Sequence, residues 1–199
     1  MKKVLCGWIA ATLLVAVGWA GAAEAEKAAQ KRMKPALLVI DVQNAYLPYM
    51  DDEDKRFSTE IINGAIAHFR ENGFPVIRVY NTDPKWGPKP DSTEFQFPES
   101  ILVKADDPKV VKNYASAFKQ TDLDKILKEK GCNTVFLCGL SAVGCVLATY
   151  HGAMDLDYDV FMIKHGLLSH NADYTNVIED ICDAVPYSAM KVMLENARK

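Results

Sequence analysis

Histidine is scarce in this chain. Its four histidines are His68, His151, His165 and His170, so none falls in the long interval from 68 to 151. No Cys-x-x-Cys pair and no Cys/His cluster occurs, which removes the usual zinc spacings; neither a metal nor a cofactor is expected. Charge of one sign is also scarce. The net charge is −3 and no basic stripe interleaved with aromatics is present, so nucleic acid is not an expected partner. No Gly/Ser-rich linker and no internal repeat divides the chain, and beyond its first twenty residues no apolar run is long enough to cross a bilayer.

The N-terminus departs from the rest. Lys2-Lys3 precedes an apolar stretch from Val4 to Trp19 and then small residues in Ala-x-Ala arrangement, the pattern of a secretory signal peptide. Residues 1–22 are read as that leader, with cleavage as late as Ala25, residues 23–34 as a polar lead-in and 35–199 as one domain. Export to a bacterial periplasm or beyond is expected, with no stable membrane insertion after cleavage. Outside the leader remain Cys132, Cys138, Cys145 and Cys182. In an oxidising compartment Cys132 and Cys182 form the best candidate disulfide, although spacing leaves the connectivity open.

Hydrophobic patterning alternates strand with helix. The apolar run 36–40 ends in Asp41, and 58–72 follows as an amphipathic helix with Ser58 as its cap and Gly73 as its stop. Further strands are expected at 75–80, 110–112, 134–138 and 159–163, and a Pro- and Trp-containing loop at 82–98. Thr121 caps a second helix that Gly131 ends, and two helical patterns split by Pro186 close the chain. Apolar strands alternating with helices predict a three-layer α/β/α fold with a mostly parallel sheet of five or six strands.

In such a sheet ligands bind beyond the carboxyl ends of the strands, where the strand order reverses. Asp41 ends the first predicted strand, Lys112 ends the third, and Cys145 follows the fourth across the turn 139–144. Taken singly, Asp41 reads as a turn cap, Lys112 as a surface ammonium and Cys145 as a small buried hydrophobe. Their joint placement points to one crevice. Cys145 at the head of a helix is expected to favour the thiolate through the helix dipole and unpaired N–H groups. The carboxylate can carry the thiol proton, the ammonium can hold the carboxylate, and turn amides can face an oxyanion: the parts of nucleophilic acyl transfer. Gln43, Tyr46, Trp86 and Phe118 are candidate pocket residues, with Phe95 weighed beside them; for His165 and His170, as lone histidines, a structural role ranks ahead of contact with a ligand or a neighbouring subunit.

Three blocks in order carry a family resemblance: Leu-Leu-Val-Ile-Asp-Val-Gln-Asn at 37–44, Val-Val-Lys-Asn-Tyr-Ala-Ser-Ala-Phe at 110–118, and Gly139 through Cys145 to Thr149. The chain resembles the isochorismatase-like cysteine hydrolases from about Lys34 onward. That resemblance implies Asp41 as general base, Lys112 as its partner, Cys145 as nucleophile, a cis peptide at Leu140–Ser141, and an oxyanion hole from the backbone amides of Ser141 and Cys145. It also implies a small-molecule substrate and a homo-oligomer. The metal motif of the nicotinamidase branch is missing from 81–86, and retention of Cys145 favours an amide or ureido C–N bond. Two alternatives remain: a vinyl-ether or ester hydrolase that does not use the cysteine, and a non-enzymatic thiol-bearing binding or redox module.

Overall fold

The computed structural model describes residues 32–85 and 87–199; the predicted leader and Trp86 lie outside them. Six strands form one sheet in the order β3-β2-β1-β4-β5-β6. They are β1 (Pro35–Ile40), β2 (Val76–Asn81), β3 (Lys109–Lys112), β4 (Thr134–Leu140), β5 (Asp159–Leu168) and β6 (Ala184–Val185), and every pairing is parallel. Helices α1 (Asp52–Glu71), α2 (Leu123–Glu129), α3 (Leu147–Met154), α4 (Ala172–Ile181) and α5 (Tyr187–Arg198) cover both faces.

The three-layer expectation holds because β1 is buried along its whole length and alternates its side chains between two cores. Ala36, Leu38 and Ile40 face Leu123 and Leu127 of α2, Tyr150 and Ala153 of α3, and Ile178 of α4. Leu37 and Val39 face Ile62, Ile66 and Phe69 of α1 and Met190 and Leu194 of α5. Each such fully buried side chain contributes about 1.5–3 kcal/mol. Among the described residues no helix is long and apolar enough to cross a membrane.

Three local expectations are corrected. Helix α1 begins six residues before Ser58, because the Asp51 carboxylate accepts hydrogen bonds from the Glu53 and Asp54 amides at 2.8 and 3.1 Å, and acidic residues suit a first turn. Ser58 is instead buried inside that helix and donates to the Leu167 carbonyl at 3.2 Å. Strand β5 runs past Ile163 to Leu168 through a bulge: Met162 pairs with Leu137 but Leu167 pairs with Gly139. Cys132 and Cys182 are both free thiols. They precede β4 and β6, which β5 separates; two strand spacings, roughly 9.6 Å, exceed the ~7 Å that a disulfide spans between Cα atoms.

Candidate active site

The sheet reverses direction of growth between β1 and β4, since β2 and β3 extend it on one side and β5 and β6 on the other. The carboxyl ends of β1 and β4 therefore part at a natural crevice. Gly139 brings them close. It lies at φ +111°, and a Cβ there would run into the carbonyl of Ile40, so only glycine lets β4 pass β1 at this point. Beyond it the Leu140–Ser141 peptide is cis.

Asp41 leaves β1 at φ +52°, in the left-handed region that few non-glycine residues occupy. Its amide donates to the Val79 carbonyl, which ties the bend to β2. The residue is 2% exposed, and Lys112, at the inward-facing end of β3, is 1% exposed. Lys112 Nζ lies 2.8 Å from Asp41 Oδ2 and donates to Cys145 Sγ at 3.1 Å. The ammonium thus joins carboxylate and sulfur.

The ion pair is a close contact without hydrogen-bond alignment, and neither buried carboxylate oxygen has a well-directed donor among the described residues. Burial accordingly raises the Asp41 pKa, against the pull of Lys112 and the Cys145 thiol. Burial acts to lower that of Lys112, but its interactions with Asp41 and Cys145 outweigh this and the ammonium is held. For Cys145, burial and then the Asp41 charge push the thiol up to about 12, with Lys112 opposing. The thiolate expected from helix placement is therefore corrected: Cys145 rests as a thiol. Its backbone position explains part of the difference. Cys145 sits inside a π-helical turn, Ala142–Val146, ahead of α3, and the amides of Gly144 and Val146 are already taken by the Ser141 carbonyl.

A hydrogen-bond relay fixes the backbone of Cys145. The Ala117 amide donates to Thr149 Oγ1 at 3.0 Å, and Thr149 donates to the Cys145 carbonyl at 2.7 Å. This ties the segment after β3 to the start of α3.

In front of the sulfur lies a cavity of about 180 Å³. Asp41, Cys145, Ser141 and Leu140 form its inner wall, and Tyr46, Asn81, Tyr49, Met50 and His170 its outer wall. Of the predicted pocket residues, Tyr46 lines it and Gln43 and Phe118 do not. Gln43 is fully buried and clamps backbone: its Nε2 donates to the carbonyls of Asn81 and Phe95, and its Oε1 accepts from the Asn81 amide. Phe118 packs beside Tyr158 at 5.7 Å between ring centres, and Phe95 stacks on Tyr80 at 4.9 Å. Trp86 lies outside the described residues.

Sequence reading missed Asn81 and ranked a structural role for His170 ahead of the ligand contact its place in the cavity wall allows. Asn81 ends β2 beside Lys112, its register partner, a position legible only once the strands are paired. His170 reaches the cavity because the β5 bulge redirects the chain. At that bulge His165, at φ +64°, donates its amide to the buried Glu179 carboxylate at 2.6 Å. Four residues later Ser169 Oγ meets Ser141 Oγ at 3.4 Å.

A family model described as Isochorismatase domain matches residues 35–182, which contain β1 to β5 and α1 to α4. The chain belongs to the isochorismatase family. Within that family it is 30% identical over 157 residues to the isochorismatase family protein YddQ of Bacillus subtilis, covering 75% of this chain and 78% of the relative. It is 31% identical over 77 residues to maleamate amidohydrolase of Pseudomonas putida, covering 39% of this chain and 36% of that protein. Among solved structures, N-carbamoylsarcosine amidase from Thermoplasma acidophilum superposes with a TM-score of 0.67 at 26% identity, over 77% of this chain and 95% of that one. The isochorismatase family is a family of hydrolases with amidase members, and this chain is an isochorismatase-like hydrolase.

Proposed function

We propose that the protein cleaves a C–N bond of a small amide or ureide through a thioester on Cys145. The observation that carries this reading is the contact of one buried ammonium with both Asp41 and Cys145, at 2.8 and 3.1 Å. The printed activities of two relatives, an amidase and an amidohydrolase, support the choice of a C–N bond.

Asp41 accepts the thiol proton as sulfur attacks the carbonyl carbon, and the C=O electron pair moves to oxygen, faced by the Ser141 and Cys145 amides. Collapse of the adduct breaks the C–N bond while protonated Asp41 delivers the proton to the leaving nitrogen. Water then gives its proton to Asp41 and attacks the thioester, the S–C bond breaks, and sulfur regains a proton. The ammonium of Lys112 offsets the negative charge as it passes between carboxylate and sulfur. A thiol at rest fits this scheme, since Asp41 removes its proton only when a substrate is in place.

The test is ammonia release from a panel of small amides and ureides, with the acyl-enzyme trapped by acid quench and mass spectrometry. The expected result is an adduct on Cys145 and loss of turnover in both Cys145→Ala and Asp41→Asn. Full turnover in Cys145→Ser with loss in Asp41→Asn overturns the thioester in favour of water attack directed by Asp41.

We further propose that residues 1–22 direct export and that the mature protein is a homo-oligomer, on the sequence pattern and the family resemblance respectively. N-terminal sequencing of the periplasmic fraction and light scattering of the purified protein test the two.

A further inference from the structure

Tyr46 stands in the outer wall of the cavity with its hydroxyl in an unusual position. Asn81 Nδ2 donates to the Tyr46 oxygen at 3.0 Å, while Asn81 Oδ1 accepts from the Asp83 amide at 3.2 Å. The Asp83 N–H settles the orientation of the Asn81 amide, because only the amide oxygen can accept from it, which leaves the nitrogen to face Tyr46. Gln43 holds the Asn81 backbone from both sides and so fixes this arrangement. The Tyr46 oxygen is thereby an acceptor already in use, and no described residue accepts its proton. A half-buried phenol in this setting has one place to donate, the cavity. Burial and the Asp41 charge push that phenol up to about 12, so the proton stays on it through the neutral range.

The charge of the cavity points the same way. No lysine or arginine lines it among the described residues. Lys112 lies behind the wall, buried and committed to Asp41 and Cys145. A carboxylate on the substrate would meet the Asp41 charge with no guanidinium or ammonium to receive it, a desolvation that binding would not repay. His170 is the one lining side chain able to carry a positive charge, and it lies on the exposed rim against Tyr174.

We propose that this pocket selects an uncharged acyl group bearing a neutral hydrogen-bond acceptor, with Tyr46 as the specificity-determining donor. The proposal rests on Cys145 being the nucleophile and adds the class of substrate. It distinguishes this chain from relatives whose named substrates, maleamate and N-carbamoylsarcosine, bear carboxylates.

Aldehydes test both parts. With a reactive thiol they form a thiohemiacetal: sulfur bonds to the carbonyl carbon, the C=O π pair goes to oxygen, and the thiol proton ends on that oxygen. The probes are 13C-carbonyl butyraldehyde, its ether analogue methoxyacetaldehyde, and succinic semialdehyde, which carries a carboxylate. Their affinities are read by NMR titration on wild type, Tyr46→Phe, His170→Gln and Cys145→Ala. Butyraldehyde is expected to bind at least tenfold tighter than succinic semialdehyde in wild type and in His170→Gln. Tyr46→Phe is expected to weaken methoxyacetaldehyde by about three- to tenfold more than butyraldehyde, the size of one neutral hydrogen bond. Equal or tighter binding of the carboxylate probe, in wild type or lost only in His170→Gln, overturns the charge selection. Equal weakening of the ether and alkyl probes in Tyr46→Phe overturns the donor role. If no adduct dependent on Cys145 forms with any probe, the nucleophile assignment itself fails, which separates that failure from a failure of selectivity.

Discussion

The Lys112 ammonium and the Asp41 carboxylate lie 2.8 Å apart with almost no access to solvent. A buried pair of this kind repays its desolvation only in part, and removing one partner strands the other. Here the cost is tolerated beside a sulfur atom that the same ammonium touches. In the proposed mechanism the pair handles one proton, with Cys145 as its object.

Lys112→Met is expected to lower stability by about 3–5 kcal/mol near pH 8. Asp41 then remains buried without its counter-charge, and its folded pKa stands above its unfolded one for the reason it already does, burial. The penalty is therefore absent below the unfolded value and grows as pH rises through the folded value. Urea unfolding at pH 4, 6 and 8 checks this; a loss of stability independent of pH refutes it.

Alkylation of Cys145 by iodoacetamide at pH 7.5 is expected to be slower than that of a free cysteine by about tenfold or more, because the thiol holds its proton. Asp41→Asn removes a charge that raises the thiol and should accelerate labelling. Lys112→Met removes one that lowers it and should slow labelling further. Rates located by peptide mapping decide the order, and labelling slowed by Asp41→Asn contradicts it.

Turnover should carry the signature of Asp41. Burial raises this carboxyl, and the base must be ionised to accept the thiol proton. The acid limb of kcat/KM is expected at a pH above the usual carboxylate range, with activity falling as pH drops through it. A limb at the ordinary value for an exposed aspartate would remove Asp41 from the role.

Two backbone devices set the crevice. Gly139→Ala places a methyl against the Ile40 carbonyl at a φ that L residues rarely adopt, and should destabilise the fold by roughly 2–4 kcal/mol. Glu179→Ala leaves the His165 amide without its acceptor and should cost about 1–3 kcal/mol. Hydrogen exchange in Glu179→Ala is expected to rise at 163–170 more than in β1; uniform change across the sheet would show no local role for the clamp.

The meeting of Asp41, Lys112 and Cys145 was legible before any coordinates because each lies at or just beyond a strand end: an apolar run closing in Asp41, a short strand closing in Lys112, and Cys145 after the turn that leaves β4. The α/β layering was legible for a related reason, since β1 is apolar on both faces and must be covered on both. The remaining pocket was less so. Gln43 and Tyr46 are equally polar neighbours of Asp41, yet one is consumed by backbone hydrogen bonds and the other faces the cavity.

What the sequence determined by itself is therefore what periodicity and residue chemistry encode: the alternation of strands and helices, the places where they end, and the reactive groups found there. The tertiary structure decided the rest. It set the protonation of Cys145, because burial and the Asp41 charge push the thiol up against the opposing Lys112. It joined Asn81 to Tyr46 across 35 residues and carried His170 to the rim through a bulge held by Glu179. Such features depend on distances between segments remote in the chain, and those distances arise only when the two cores close on the sheet.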